Sequence, residues 1–203
     1  MRLLDKAIGV ATEVHSSQTR KCNGSPYILH PLRVLCLVAE HPELRTREEV
    51  LCAAVLHDVV EDFEYDSVTS ILKIVDIQAH IKLTFGDKVS TLVEELTNSS
   101  IKYPNLPRSE RIAMNITHLS KVSREARIIK MFDRLDNVGE IGADLESQRD
   151  VDRNWANLYL QESYLLYEAL KSTCKPTATK LACELGLLEI MLSATQPMKE
   201  LAT

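Results

Sequence analysis

Four ionisable side chains interrupt an apolar run in the sequence AAVLHDVVED, which spans residues 53–62. They are His57, Asp58, Glu61 and Asp62. On an α-helix this spacing would put all four on one stripe roughly 140° wide, where they could converge on one cavity. Burying three carboxylates among valines and leucines costs several kcal/mol per ion unless something compensates the charge. A divalent cation would compensate it, so the pattern favours a metal or catalytic site over a solvated polar face.

Other segments must supply further ligands, because one helix comfortably offers only two. The segment PYILHP contains His30 among apolar neighbours, and RIIKMFDRLDN contains Asp133 in a similar setting. Asn137 follows Asp133 by one helical turn and therefore shares its helix face. Taken alone, a histidine in an apolar helix is most often a satisfied core residue, and Asp133 could pair with Lys130 or Arg134. The residues by themselves leave both interpretations open.

The segments that must position these side chains show helical periodicity almost throughout. Pro26 is tolerated in a first helical turn, and Thr46 with Glu49 forms a capping-box pattern, so a helix should begin near each. The second of these helices would run for about 17 residues, as far as Asp62. The predicted helices cover residues 2–16, 26–40, 46–62, 67–83, 87–97, 107–120, 124–140, 151–172 and 177–194. We predict a single all-α domain over 1–203, with a core of about 1–172, a C-terminal helical extension over 173–203, and the site between helices.

Composition and charge exclude several classes of function. The 203 residues are 45% hydrophobic and 26% charged, with a net charge of −5, so no overall basic field exists to hold nucleic acid or a membrane surface. An anionic ligand would need a local basic cluster. The five cysteines form no CxxC or zinc-finger spacing, and we expect a reducing, cytoplasmic setting. Four histidines have no partner at ligand spacing and are interpreted as structural: His15, His41, His80 and His118.

Three segments, in this order, are similar to motifs of one known family. TRKCNGSPYILHP, AAVLHDVVED and IIKMFDRLDN resemble the blocks R-K-x-x-G-x-P-Y-x-x-H-P, L-L-H-D-x-V-E-D and K-L-A-D-R-x-x-N. These blocks belong to the HD-domain hydrolases of the RelA/SpoT homologue family, and the chain looks like a stand-alone small alarmone hydrolase. The resemblance extends from residue 1 to about residue 170.

The resemblance implies a role for each matching position. The metal ligands would be His30, His57, Asp58 and Asp133, a mixed imidazole and carboxylate set that suits one Mn²⁺ ion better than structural zinc. The implied catalytic acids are Glu61 and Asp62, with Glu61 orienting or deprotonating a water that the metal activates. The implied substrate contacts are Asn137, Arg20 stacking on the nucleobase, Lys21 beside it, and the phosphate-binding candidates Lys102 and Arg153.

The implied reaction is hydrolysis of the 3′-pyrophosphate of ppGpp or pppGpp to GDP or GTP and pyrophosphate. The sequence departs from the family pattern at Ser17, Phe63 and Asp136, where the family commonly has Gly, Thr and His. These positions lie near the nucleotide pocket, so the adenine alarmone (p)ppApp and the 2′-phosphate of NADPH stay open as alternative substrates. A catalytically silent nucleotide-sensing module is a further alternative. The sequence predicts no nucleic-acid or membrane partner and carries no signal of oligomeric state.

Overall fold

The computed structural model describes residues 2–21, 23–63 and 70–194, and for residues 70–76 it describes the backbone alone. Within these residues the fold is all-α, as predicted, and its only extended pairing is an isolated bridge between Thr19 and Pro26. None of the described helices is long and apolar enough to cross a membrane. The helices are α1 Leu3–Val14, α2 Leu29–Glu40, α3 Glu48–Leu56, α4 Val59–Asp62, α5 Ser70–Phe85, α6 Asp87–Leu96, α7 Arg108–Leu119, α8 Arg124–Glu146, α9 Arg153–Leu170 and α10 Lys175–Ala194, with a 3₁₀ turn at Ser99–Lys102.

The helix predicted over 46–62 is broken in two, which corrects the expectation of one continuous helix. It stops at Leu56 and restarts at Val59, so His57 and Asp58 lie at the join. The Nδ1 atom of His57 lies 2.8 Å from the Ala54 carbonyl oxygen and so engages a carbonyl of the last turn of α3. The Asp58 carbonyl then accepts the first backbone bonds of α4. The expected capping box is also wrong, because Arg47 is the N-cap and accepts no side-chain capping bond.

The segment before α2 is a tight loop rather than the start of a helix. Pro26 was expected in a first helical turn, but α2 begins three residues later, at Leu29. Pro26 pairs instead with Thr19, and the Arg20 amide donates to the Ser25 carbonyl at 2.8 Å. Gly24 completes the loop with a φ of +70°, a left-handed conformation that favours glycine. The loop thereby fixes Arg20 at the edge of the helical core.

The long helix α8 is the centre of the bundle. It packs against α2 on one side, α6 on another, and α9 and α10 on the remaining sides. Ile128, Ile129, Met131 and Val138 of α8 are completely buried in the hydrophobic core. The same helix therefore carries Asp133 into the interior, facing α2 and the α3–α4 join.

The last described helix, α10, packs along α8 and α9. Its inward face is apolar and buried, and it consists of Leu181, Leu185, Leu188 and Leu192. Gly142 of α8 lies against this helix, and a Cβ at that position would be 3.6 Å from the Met191 sulfur. The division into a core and a C-terminal extension stays a prediction, and the packing of α10 makes it testable.

We expect α10 to unfold together with the rest of the bundle. Leu185 is 0% exposed, so Leu185→Ala should lower the free energy of unfolding by about 2–5 kcal/mol through lost packing. Leu187, on the same helix, is 49% exposed, and Leu187→Ala should change it by less than about 0.5 kcal/mol. Urea denaturation followed by circular dichroism compares them. A Leu185→Ala protein as stable as Leu187→Ala would mean that α10 is not part of the cooperative unit.

Candidate metal centre

Three separate elements bring four potential ligands together. His30 lies on α2, His57 and Asp58 form the α3–α4 join, and Asp133 lies on α8. The Nε2 atom of His30 is 3.2 Å from Asp133 Oδ1 and 3.5 Å from Asp58 Oδ2. His57 Nε2 is 3.1 Å from the same Asp58 oxygen and 3.8 Å from Asp133 Oδ1. All four side chains are buried, and donor atoms of His30, His57 and Asp58 lie within 4.8 Å of one another.

The two imidazoles fit a cation because each directs an unsatisfied nitrogen into the cluster. His57 Nδ1 must carry a hydrogen, since its partner, the Ala54 carbonyl oxygen at 2.8 Å, can only accept. The Nε2 atoms of His30 and His57 are buried and have no hydrogen-bond partner in the described chain. Buried polar atoms without partners are costly, and a divalent cation is a partner that this donor set can hold.

The two carboxylates of the cluster are held in the ionised form. Burial alone would raise the pKa of Asp133, but the Lys130 ammonium, 2.8 Å from Oδ2, and the two nearby imidazoles hold it well below its usual range. The same opposition lowers the pKa of Asp58, where burial is outweighed by the charge of His57. Tyr27 donates to Asp58 Oδ2 at 2.8 Å, and Asn137 donates to Asp133 Oδ1 at 2.7 Å. Ionised carboxylates are the form that binds metal.

Glu61 and Asp62, one turn further on, have the opposite electrostatic environment. Burial, and then the charge of Asp58, raise the pKa of Glu61 above its ordinary value despite the nearby Lys130. Burial and the charges of Asp58 and Glu61 raise the pKa of Asp62 to about 7. Asn98 fixes Glu61 through two bonds, from its backbone amide at 2.7 Å and its side-chain amide at 2.6 Å. Asp62 can therefore exchange protons near neutral pH, and the pKa of Glu61 is shifted in the same direction.

His15 is a site residue that the sequence interpretation missed. It is buried, its Nδ1 atom is 2.8 Å from Gln18 Oε1 and 3.6 Å from Asp62 Oδ2, and its ring lies 4.9 Å from that of Tyr27. Burial lowers the pKa of His15, so the neutral imidazole is favoured. Gln18 is three residues away in the chain and gave no signal of a site, whereas Asp62 is distant in the chain and only the fold brings it close.

A first cavity of about 180 Å³ lies beside Arg20, the residue that the family resemblance implies would stack on the nucleobase. Its lining includes three residues that the sequence analysis names as substrate contacts, Arg20, Lys21 and Asn137. It also includes three aromatic residues that were not predicted: Tyr27, Trp155 and Tyr159. Arg20 is held by Glu140 and by Asn137 Oδ1 at 2.6 Å. Trp155 and Tyr159 stack with ring centroids 5.3 Å apart. A flat aromatic wall facing a guanidinium suits a planar base.

A second cavity of about 260 Å³ has Glu61 and Asp62 in its wall. Arg108 and Arg111 of α7 also line it, and neither was predicted. Arg108 pairs with Glu162, while the buried Nε of Arg111 has no partner within the described residues. Neither Lys102 nor Arg153 lines this cavity: Lys102 is exposed on the 3₁₀ turn, and Arg153 donates to the Leu192 carbonyl at 3.5 Å. Their roles as phosphate ligands stay predictions.

The raised pKa of Asp62 predicts a pH-dependent stability. Folding favours the protonated carboxyl between its ordinary pKa of 3.8 and about 7, so this stabilisation is lost as pH rises through that window. Asp62→Asn stays neutral throughout. In chelator-treated protein, the wild type should therefore lose stability relative to Asp62→Asn as the pH rises. The free energy of unfolding of Asp62→Asn minus that of the wild type should increase by about 2 kcal/mol from pH 5 to pH 8.

Urea denaturation at the two pH values measures this difference. Asp150→Asn is the matched control, because Asp150 is exposed and its replacement should change stability equally at both pH values. A pH-independent difference between Asp62→Asn and wild type would contradict the electrostatic environment described for Asp62.

Comparisons with known proteins agree with this arrangement. The HD-domain family matches residues 7–161. The guanosine-3′,5′-bis(diphosphate) 3′-pyrophosphohydrolase MESH1 of Xenopus tropicalis is 31% identical over 167 residues, which cover 80% of this chain and 79% of the relative. The human protein of that name is 30% identical over 160 residues, covering 78% of this chain and 77% of its own length. A solved structure of a metazoan orthologue of SpoT that hydrolyses ppGpp superposes with a TM-score of 0.73 at 26% identity, covering 92% of this chain and 95% of that one. The chain therefore belongs to the HD-domain family, as its three spaced motifs predicted.

Proposed function

We propose that this protein is a Mn²⁺-dependent hydrolase that removes the 3′-pyrophosphate of ppGpp and pppGpp, giving GDP or GTP and pyrophosphate. The observation that carries the proposal is the pair of buried Nε2 atoms that have no hydrogen-bond partner in the described part of the chain. They lie beside two ionised carboxylates, with Glu61 and Asp62 one turn away. The similarity to proteins named as 3′-pyrophosphohydrolases supports the same reaction.

The cation would be held by His30, His57, Asp58 and Asp133. Two imidazoles and two carboxylates are a donor set in which Mn²⁺ is accommodated, and the absence of thiolates among these donors argues against a structural zinc. When bound, the cation supplies positive charge that polarises a phosphoryl oxygen and acidifies water. Proton transfer and substrate binding in the proposed reaction use side chains of the protein itself.

Glu61 is proposed as the general base and Asp62 as its proton-carrying neighbour. Glu61 is fixed by two bonds from Asn98, so its carboxylate is oriented before substrate arrives. It would take a proton from the water that attacks the phosphorus bonded to the ribose 3′-oxygen. As the phosphorus–oxygen bond breaks, the leaving 3′-oxygen needs a proton. With a pKa of about 7, Asp62 is partly protonated at neutral pH and can supply one.

The nucleoside is proposed to bind in the first cavity. Arg20 would stack on the base, while Lys21 and Asn137 would contact the sugar and phosphate groups. Stacking on Arg20, Trp155 or Tyr159 uses the face of the base, and every purine has such a face. The choice between guanine and adenine alarmones and NADPH is therefore an outcome of the experiment below. A free nucleotide substrate accords with a cytoplasmic protein, and the net charge of −5 gives no reason to expect a nucleic-acid partner.

The pyrophosphate is proposed to lie in the second cavity, beside Glu61 and Asp62. Among the described residues that line this cavity, Arg111 has a buried Nε without a hydrogen-bond partner, so its guanidinium is available to bind a phosphoryl oxygen. Arg108 is already bonded through Nε and Nη2 to Glu162, so its charge is partly neutralised. Arg111 therefore carries the phosphate-binding role in this proposal, and Lys102 and Arg153 are retained as the alternative that sequence favoured.

The proposal is tested by product analysis with Mn²⁺ and ppGpp, ppApp or NADPH. We expect pyrophosphate release from ppGpp, which chelator abolishes and which Glu61→Gln slows by about 10²–10⁴-fold through loss of the general base. The matched control is Glu94→Gln, which alters an exposed carboxylate on α6 and should leave turnover unchanged. Faster turnover of ppApp or NADPH would keep the chemistry and change the substrate. No turnover of any of the three by Mn²⁺-loaded protein would favour the nucleotide-sensing module.

Arg111 provides a separate test of the phosphate subsite. Arg111→Ala should raise KM for ppGpp by about 10–100-fold, because a charge-assisted hydrogen bond contributes roughly 1.5–3 kcal/mol. Lys102→Ala and Arg153→Ala, measured in parallel, should change KM by less than about twofold, because neither side chain lines the second cavity. A large rise in KM with Lys102→Ala or Arg153→Ala, and none with Arg111→Ala, would move the phosphate subsite to the residues favoured by sequence.

A further inference from the structure

Asp136 makes a contact with His30 that the sequence did not predict. It lies on α8, one turn after Asp133, and its side chain is 8% exposed. Its Oδ2 atom is 2.7 Å from His30 Nδ1, the ring nitrogen that faces away from the cluster. At this position the family pattern commonly has histidine, so the acid is a feature of this chain.

The hydrogen-bond pattern determines which nitrogen of His30 carries the hydrogen. Arg33 donates to Asp136 twice, from Nε to Oδ1 at 2.6 Å and from Nη2 to Oδ2 at 3.0 Å. A guanidinium can only donate, so both Asp136 oxygens accept hydrogen bonds from Arg33. His30 Nδ1 approaches Oδ2 at 2.7 Å, so Asp136 is the acceptor in this contact and the hydrogen lies on His30 Nδ1. In the neutral ring the lone pair is then on Nε2, which faces Asp133 and Asp58.

Asp136 is unsuited to bind the cation itself. Both of its oxygens are engaged by Arg33 or His30, and it contacts the imidazole from the side opposite the cluster. The other imidazole differs, because His57 Nδ1 contacts only the neutral carbonyl of Ala54. A carboxylate is a stronger acceptor than a carbonyl and makes the opposite ring nitrogen a better donor to metal. His30 and His57 therefore donate to hydrogen-bond acceptors of unequal strength, a carboxylate for His30 and a backbone carbonyl for His57.

We propose that Asp136, with Arg33 as its counterion, is a positioning residue that fixes the tautomer and ring orientation of His30 and thereby strengthens cation binding. The inference rests on the metal site of the proposed function. Arg33 also allows the chain to accommodate an additional acid beside that site, because it neutralises the charge of Asp136 while Asp136 retains its bond to His30.

The test is Mn²⁺ binding to chelator-stripped protein, measured by titration calorimetry and by the electron paramagnetic resonance signal of free Mn²⁺. Asp136→Ala should weaken the Kd by about 10–100-fold, since the acceptor is lost. Asp136→Asn keeps an oxygen that can accept from Nδ1 but removes the charge, so it should recover part of that loss. This graded rescue distinguishes positioning of His30 from a merely structural role.

Asp144→Asn is the matched control. Asp144 is another buried acid of α8 paired with an arginine, Arg149, and it contacts Asn23 rather than His30. Its replacement should leave the Kd within twofold of wild type. Thermal melting of each metal-free variant checks folding, and the isosteric Asp136→Asn protein keeps the test decisive should Asp136→Ala fold poorly.

The possible results separate this inference from the proposed function. Mn²⁺ affinity unchanged within twofold in both Asp136 variants would overturn the inference and leave the metal site intact. Equal losses in Asp136→Asn and Asp144→Asn would also overturn it, because any buried α8 acid would then account for the effect. A wild-type protein that binds no Mn²⁺ would overturn the metal site, and this inference with it.

Discussion

The burial of two carboxylates and two imidazoles in one cluster is the constraint on which the rest of this structure depends. Charged groups inside a protein are tolerated only when each is paired or hydrogen-bonded. The neighbouring segments meet that requirement, with Lys130 and Asn137 bonded to Asp133 and Tyr27 bonded to Asp58. The Nε2 atoms of the two imidazoles are the exception, since they have no hydrogen-bond partner among the residues that the structure describes.

The same bonds connect the cluster to the first cavity. Asn137 donates to Asp133 through its amide nitrogen and accepts from Arg20 through its oxygen. A second route leads from His30 through Asp136 and Arg33 to Glu140, which also holds Arg20. Four residues on these two routes lie on α8: Asp133, Asp136, Asn137 and Glu140. One helix therefore sets the distance between the arginine proposed to stack on the base and the ligands proposed to hold the cation.

Local sequence patterns predicted most of the helices and the buried acids beside His57, the family resemblance added His30 and Asp133, and tertiary contacts decided the details. Periodicity predicted an all-α chain, and the acids beside His57 were conspicuous because buried charge is costly. The break between α3 and α4 depends on a side chain bonding to the Ala54 carbonyl, which helix propensity does not encode. His15 and Arg111 had no signal in their own segments, since Asp62 and the second cavity reach them only after folding. Long-range pairing of this kind is outside the reach of spacing rules.

Four buried or partly buried acids show how neighbouring carboxyl groups can supply two kinds of chemistry: Asp58 at the α3–α4 join, Glu61 and Asp62 on α4, and Asp133 on α8. Asp58 and Asp133 face imidazoles and an ammonium group, which hold their pKa values low and keep them ionised. Glu61 and Asp62 lie one turn away, where burial and the charge of Asp58 raise their pKa values instead. The charge that suits Asp58 to bind a cation thus also helps to raise the pKa values of its neighbours. Environments that separate the pKa values of adjacent acids in this way are how active sites assign acid and base roles. A continuous helix with three equivalent acids would not provide that separation; the neighbours contributed by other helices do.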